Sequence, residues 1–305
     1  MLMLFSILST WKPTGCLVLE LNAYSPSDSK HWFKNHHFGL DHDDGDLVQQ
    51  REATPRWHDQ IHGWVNGQQV EAPPGEAVLQ LFSVLCVTLS KYLPEVRAVT
   101  GLVIRRQLRR QISSAALRLL WERLPRLESI VYEPWRTWRC SWRIQWREDL
   151  ASMIQDALPS HVRTVSIFED FNDQFALAVR CDMPHLSIID TNSTTDLGLA
   201  RAFASKSRDL EHLSVSFMID AQQFFNSCQL PYTWPHLRSL TLTSSILTRT
   251  ARQKDISTLL HNASLAALKM PQLERMVLWN GKHGEACAAI YHRDKARRGW
   301  CKETA

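Results

Sequence analysis

The chain has 305 residues, of which 44% are apolar and 22% charged, enough to bury a full core and inconsistent with a wholly disordered chain. Lys plus Arg is 35 against 31 Asp plus Glu, and a formal charge of +4 is small for a general nucleic-acid coat. The seven cysteines (Cys16, Cys86, Cys140, Cys181, Cys228, Cys287, Cys301) lie far apart with no C-x-x-C pair, which argues for reduced thiols in the cytoplasm or nucleus and against a disulfide or zinc framework.

Met1 to Leu8 is apolar, but it lacks a basic n-region and an A-x-A cleavage site, and Trp11-Lys12-Pro13 follows at once. A span needs about 20 apolar residues, so this run is read as the tail of a buried helix, and no membrane segment is expected anywhere. A first short strand follows as Cys16-x-x-Leu19-x-Leu21. Residues 25–73 are rich in Ser, Asp, His and Gly and read as one long insertion, disordered in part around His42 to Gln50. Pro74-Gly75-Glu76 opens a helix expected to run through Leu85 towards Leu89.

From there the pattern L-x-x-L-x-L repeats, with other apolar residues allowed. It is carried by Val99/Leu102/Ile104, Leu127/Ile130/Tyr132, Val162/Val165/Ile167, Met183/Leu186/Ile188, Leu210/Leu213/Val215, Leu237/Leu240/Leu242 and Leu273/Met276/Leu278. Anchor spacings are 28, 35, 21, 27, 27 and 36. Leucine-rich repeats run at about 20–29 residues, so four of the six fit and two carry insertions. The last two apolar positions of each copy are two apart and face one side of a strand. Helices are expected from Ser113 or Ser114 to Arg123, Glu148 to Leu158, Asp196 to Ser207, Asp220 to Ser227 and Asp255 to Leu268. The expected fold is α/β: one repeat domain over 1–305, a leucine-rich-repeat-like solenoid with a curved parallel sheet and helices on its convex side. Leu213, Leu240 and Met276 should fill one buried layer. Arg105 and Glu133, each six beyond its anchor, should meet as an ion pair on the open face.

The string Gly15-Cys16-Leu17-Val18-Leu19-Glu20-Leu21, running into Ser25-Pro26-Ser27-Asp28-Ser29-Lys30-His31-Trp32-Phe33-Lys34-Asn35, resembles a group of filamentous-fungal F-box proteins with degenerate leucine-rich repeats. Val99-Thr100-Gly101-Leu102 with Arg105-Arg106-Gln107, Tyr132-Glu133-Pro134-Trp135-Arg136 and Ile167-Phe168-Glu169-Asp170-Phe171-Asn172 extend the resemblance, which covers about Leu8 to Tyr291. It implies a substrate-recognition part of an SCF-type ubiquitin ligase, although the repeat region of that group has no known function and supplies no catalytic or ligand residues. Such proteins carry an amino-terminal F-box of about 40–50 residues ahead of the repeats. No L-P-x-E-(I/L) string precedes Leu8 here, so adaptor binding is not expected from these residues; a truncated gene model or a lost module would account for it.

No catalytic motif is present: no G-x-S-x-G, no phosphate loop and no G-x-G-x-x-G. A non-enzymatic chain without cofactor is expected. His31, His36, His37 and His42 beside Asp41, Asp43, Asp44 and Asp46 match no zinc spacing, and His58-x-x-x-His62 has Asp59 where a metalloprotease helix carries Glu, so no metal site is assigned. Arg105, Arg106, Arg109 and Arg110 read as a solvated turn paired with carboxylates of neighbouring repeats rather than as an anion site. Trp135, Trp138, Trp142 and Trp146 alternate with Arg136, Arg139, Arg143 and Arg147. They read as a helix whose Trp face covers the core while the Arg stems reach water, rather than as a platform for nucleic acid or membrane.

The best candidate is the outer strand face, at positions four and six beyond each anchor. Val103, Val131, Ser166, Ser187, Ser214, Thr241 and Val277 hold the fourth positions; Arg105, Glu133, Phe168, Ile189, Ser216, Thr243 and Trp279 hold the sixth. Arg105, Glu133, Phe168, Ser187, Ser214, Thr241 and Trp279 are the candidate residues for a protein partner of unknown identity, with Phe168 and Trp279 as aromatic anchors. The alternatives are a free-standing interaction scaffold, and a nucleic-acid or anion binder using the Arg and Trp–Arg stretches.

Overall fold

The apolar residues of successive copies lie side by side in one sheet. The computed structural model describes residues 1–23, 32–33, 59–66, 68–85, 92–138, 140–184, 197–229, 231–282, 284–293 and 298–303. The strands of the main sheet are β1 (Leu17–Glu20), β5 (Val99–Ile104), β7 (Ser129–Tyr132), β8 (Thr164–Phe168), β9 (His212–Asp220), β10 (Ser239–Thr243), β11 (Arg275–Lys282), β12 (Glu285–Arg293) and β13 (Arg298–Glu303), hydrogen-bonded in that order. Two small pairs complete the set: β2 (Trp64–Val65) with β3 (Gln68–Gln69), and β4 (Val84–Leu85) with β6 (Gln111–Ile112). The helices are α1 (Leu2–Leu8), α2 (Gly75–Leu81), α3 (Ser114–Glu122), α4 (Cys140–Asp156), α5 (Asp173–Asp182), α6 (Leu197–Lys206), α7 (Ala221–Ser227) and α8 (Gln253–Ala267).

In the main sheet β1, β5 and β7 to β11 run parallel, and their register follows the sequence pattern. Leu19, Leu102, Ile130, Val165, Leu213, Leu240 and Met276 are consecutive cross-strand partners. Ile104, Tyr132, Ile167, Val215, Leu242 and Leu278 form a second such row. Leu213, Leu240 and Met276 are fully buried, as the expected layer requires. α3, α4, α6, α7 and α8 lie as successive neighbours, and their apolar faces share one core with these rows. Capping explains where several begin. Ser113 accepts from Ala116 N at α3, and Asp220 from Gln222 N at α7.

A further row sets the same register electrostatically. The residues one beyond the anchors are Glu128, Arg163, Glu211, Arg238 and Glu274, alternating in sign. Glu128 donates its backbone N–H to the Thr100 carbonyl, and each of the others donates to the carbonyl of the one before it, at 2.7–2.8 Å. Arg238 bridges its neighbours, 2.9 Å from Glu274 and 4.0 Å from Glu211. A one-strand error in pairing would set like charges together.

Three expectations need correction. No strand from the Met183 copy stands between β8 and β9, which pair directly from Thr164/His212 to Phe168/Ser216. Asn172 caps α5 by accepting from the N–H groups of Gln174 and Phe175, so Val179 and Met183 lie at helical spacing and Met183 ends that helix. Ser187 and Ile189 lie outside the described residues. The helix after Pro74 stops at Leu81, and Val84–Leu85 then pairs with Gln111–Ile112. The sheet is not wholly parallel: Gly284, at φ +75°, lies in the turn from β11 to antiparallel β12, and β13 pairs antiparallel with β12 in turn. Within 25–73, Trp64–Val65 pairs antiparallel with Gln68–Gln69, and buried Trp64 donates to the Trp32 carbonyl at 2.9 Å. The stretch 42–50 lies outside the described residues. In α1, Phe5 and Leu8 are buried while Leu2, Met3, Leu4 and Ile7 face outward.

A second, smaller core joins α2 to α5 near the carboxyl ends of the strands. Val78, Leu81 and Phe82 pack with Ala176, Val179 and Trp138. Gly75 allows this closeness, since a Cβ there would meet Val179 Cα at 2.8 Å.

Candidate functional site

The sheet face turned away from the main core carries the candidate residues. Val103, Val131, Ser166, Ser214, Thr241 and Val277 are consecutive cross-strand partners. All but Val103 are half-buried. At one end, Arg105 Nη1 lies 3.3 Å from Glu133 Oε1. The backbone N–H of Arg106 donates to Glu133 Oε2 at 3.2 Å, and its guanidinium lies 3.5 Å from Asp170. Arg109 sits 5.5 Å over the Phe33 ring. Burial pushes the Asp170 carboxyl up despite its backbone hydrogen bond and the Arg106 charge.

At the other end the structure brings Phe168 and Trp279 together across two intervening strands. Their rings stack at 6.5 Å and 24°. Between them on β9 and β10 stand Ser216 and Thr243, both small and buried, which leaves room for the rings to lean inward. A third ring, Phe217, completes a shelf, 5.4 Å from Phe168 and 5.0 Å from Trp279, and a fourth, Phe171, lies 5.1 Å from Phe217.

Phe217 reaches the shelf through a bulge. The β9 partner of Leu242 is Val215, but that of Thr243 is Asp220, so Ser216–Ile219 loop out. Phe217 has φ +61°, a left-handed conformation that is strained for a bulky side chain. Its backbone N–H donates to Thr243 Oγ1 at 2.7 Å. Sequence reasoning missed Phe217 because a period-two pattern has no place for an extra loop within a strand. The visible signal is the long run Ser216-Phe217-Met218-Ile219 between Val215 and the capping Asp220.

Beneath the shelf lies a buried ionic cluster. Glu169 Oε2 is 3.1 Å from Arg136 Nε, 3.5 Å from Arg143 Nη2 and 3.3 Å from Arg147 Nη2, all four residues being buried. Burial alone would raise the Glu169 carboxyl. The three guanidiniums, Arg147 foremost, outweigh it and hold the pKa down at about 2. Arg147 Nη2 also donates to the Met218 carbonyl at 2.7 Å, and Glu169 N donates to the Ser216 carbonyl at 3.0 Å. Arg136 sits 4.3 Å over the Phe171 ring. The cluster thus grips the bulge that carries Phe217.

This corrects the reading of the Trp–Arg stretch. α4 begins only at Cys140, so Trp135 and Trp138 precede it and no four-Trp helical stripe forms. Trp138 and Trp146 are buried, Trp135 is half-buried and Trp142 is exposed. Arg143 and Arg147, one turn apart, point inward rather than to water, because Glu169 supplies a buried counter-charge.

Among the described residues no group of three or more His, Cys, Asp or Glu is placed to hold a metal. His62 Nδ1 lies 2.8 Å from Asp59 Oδ2, while His31, His36, His37, His42 and His58 lie outside the described residues. No helix among the described residues is long and apolar enough to cross a membrane.

Residues 157–303 match the model of a family of unknown function (DUF6546). The match runs from ahead of β8 to the end of β13, so it includes Phe168, Glu169, Phe217 and Trp279 but not Arg136, Arg143 or Arg147. No curated protein and no solved structure matches the chain.

Proposed function

We propose that this chain is a non-enzymatic protein-binding repeat domain whose partner docks on the open strand face. In this reading it is a leucine-rich-repeat-like solenoid with a curved parallel sheet and helices on the convex side. The unbroken register from Leu19 to Met276 supports that architecture. The observation that carries the binding reading is the aromatic shelf: Phe168, Phe217 and Trp279 stay half-exposed, and one of them is held there in a strained conformation. Strain at a surface aromatic costs stability and removes none of its exposed apolar area, so selection for stability alone does not account for it.

By resemblance, the role would be substrate recognition for an SCF-type ubiquitin ligase, in the cytoplasm or nucleus, with no adaptor contact made by residues 1–305. A free-standing scaffold uses the same face. A nucleic-acid reading draws less support, since Arg136, Arg143 and Arg147 are buried on Glu169. Proximity labelling in native cells, followed by binding assays with the purified full chain, tests the proposal. Phe168→Ala with Trp279→Ala should abolish partner binding, Leu265→Ala on the exposed side of α8 should not, and raising salt should weaken binding only shallowly. A partner indifferent to the shelf pair, or lost steeply with salt, would overturn it.

A further inference from the structure

Ser166, Ser214 and Thr241 form an unbroken hydroxyl floor across β8, β9 and β10, two residues before the shelf on the same face. None of the three hydroxyls has a hydrogen-bond partner among the described residues. The strand amides and carbonyls beneath them are already used in the parallel ladder, so this face presents side chains only. Each hydroxyl both donates and accepts. No charged residue stands in the floor, and Asp220, the β9 partner of Thr243 in the shelf row, is buried with its carboxylate accepting from Gln222 N, Ser245 N and Ser245 Oγ. The Glu169–Arg136–Arg143–Arg147 cluster beneath the shelf is buried, and the ions at the other end of the face, Arg105 with Glu133 and Arg106 with Asp170, are paired with one another.

From this we infer that the face takes a neutral, extended peptide segment of a partner protein, with one bulky apolar side chain lying on the Phe168–Phe217–Trp279 shelf and amide groups hydrogen-bonded to the Ser166–Ser214–Thr241 floor. The inference rests on the binding face proposed above and adds the chemistry of its occupant. A peptide amide matches a hydroxyl in either direction, as donor or acceptor. A Lys, Arg, Asp or Glu laid on this floor would lose water with no counter-charge to replace it, a penalty that a neutral side chain escapes. The shelf supplies the anchoring contact, since a few hot-spot residues dominate an interface and large aromatic side chains such as Trp are enriched among them.

Short random peptides displayed on phage and selected on the purified full chain test this directly. The selected peptides should carry a bulky apolar residue within a window free of charged side chains. They should weaken by about tenfold or more on Trp279→Ala. Ser214→Asp should weaken them far more than Ser214→Asn, with Thr241→Asp as the second probe of the floor, each variant's melting curve verifying that it is folded. Peptides that need Trp279 but are rich in charge would overturn the neutral-segment inference while leaving the binding face standing. Selection of nothing, or only of peptides indifferent to both Phe168→Ala and Trp279→Ala, would overturn both.

Discussion

Arg147 on α4 donates a hydrogen bond of 2.7 Å to the carbonyl of Met218, the residue after the strained Phe217. A buried guanidinium on a helix therefore fixes the loop that completes an exposed aromatic shelf, and the same nitrogen holds Glu169 at 3.3 Å. Replacing Arg147 with Met should cost about 1–3 kcal/mol, because it leaves the Met218 carbonyl without its donor while Arg136 and Arg143 still hold Glu169. Urea unfolding of the two proteins at neutral pH measures this. A loss within the usual surface range of about 0.5 kcal/mol would mean the cluster is not formed.

Glu169 gives a pH dependence with a definite sign. Its folded pKa of about 2 lies below the ordinary 4.5, so the folded state favours the ionised form. Its contribution is fully present above about pH 4.5 and is lost as pH falls towards 2. The shift corresponds to about 3 kcal/mol. Glu169→Gln should lower stability at pH 7 and flatten its dependence between pH 4.5 and 2, measured by chemical denaturation across that range. An unchanged slope in the variant would show that other carboxylates carry the acid response.

Phe217 permits a test of strain that inverts the usual rule. In ordinary strand positions Gly is less stable than Ala by roughly 0.5–1 kcal/mol. At φ +61° the order should reverse, so Phe217→Gly should exceed Phe217→Ala by about 1 kcal/mol, while both lose the shelf ring. Thermal melts of the two variants decide it, and Ala above Gly would contradict the left-handed conformation.

Leu240 tests the layer on which the sheet stands. It is fully buried, paired with Leu213 on one side and Met276 on the other. Leu240→Ala should cost about 2–5 kcal/mol as a core cavity. A loss near zero on unfolding would mean that the layer does not exist.

The parallel strands, their register and the Arg105–Glu133 pair were legible because an apolar residue must recur wherever each strand meets the same core. Candidate residues on the open face could be read by counting four and six positions along from the anchors. The failures share a physical cause: structure set by a local partner rather than by a period. Asn172 capped a helix that drew Met183 out of the pattern, and Gly284 turned β11 back into antiparallel β12. Ser216–Ile219 bulged out of β9 and placed Phe217 on the shelf. Glu169 drew Arg143 and Arg147 inward, although alternation with Trp suggested the opposite. In each case a cap, a turn, a bulge or a buried counter-charge outweighed the pattern, and an apolar period records none of these.

The central claim, that the partner lies on the open strand face, is tested most directly by site-specific photo-crosslinking. Benzoylphenylalanine placed at Thr241, on the floor, and at Leu265, exposed on α8, would be irradiated in the full chain with its bound partner and the products mapped by mass spectrometry. The account predicts crosslinks from Thr241 to a single neutral, apolar-anchored segment of the partner and none from Leu265. Crosslinks from Leu265 alone would place the partner on the helices and contradict it.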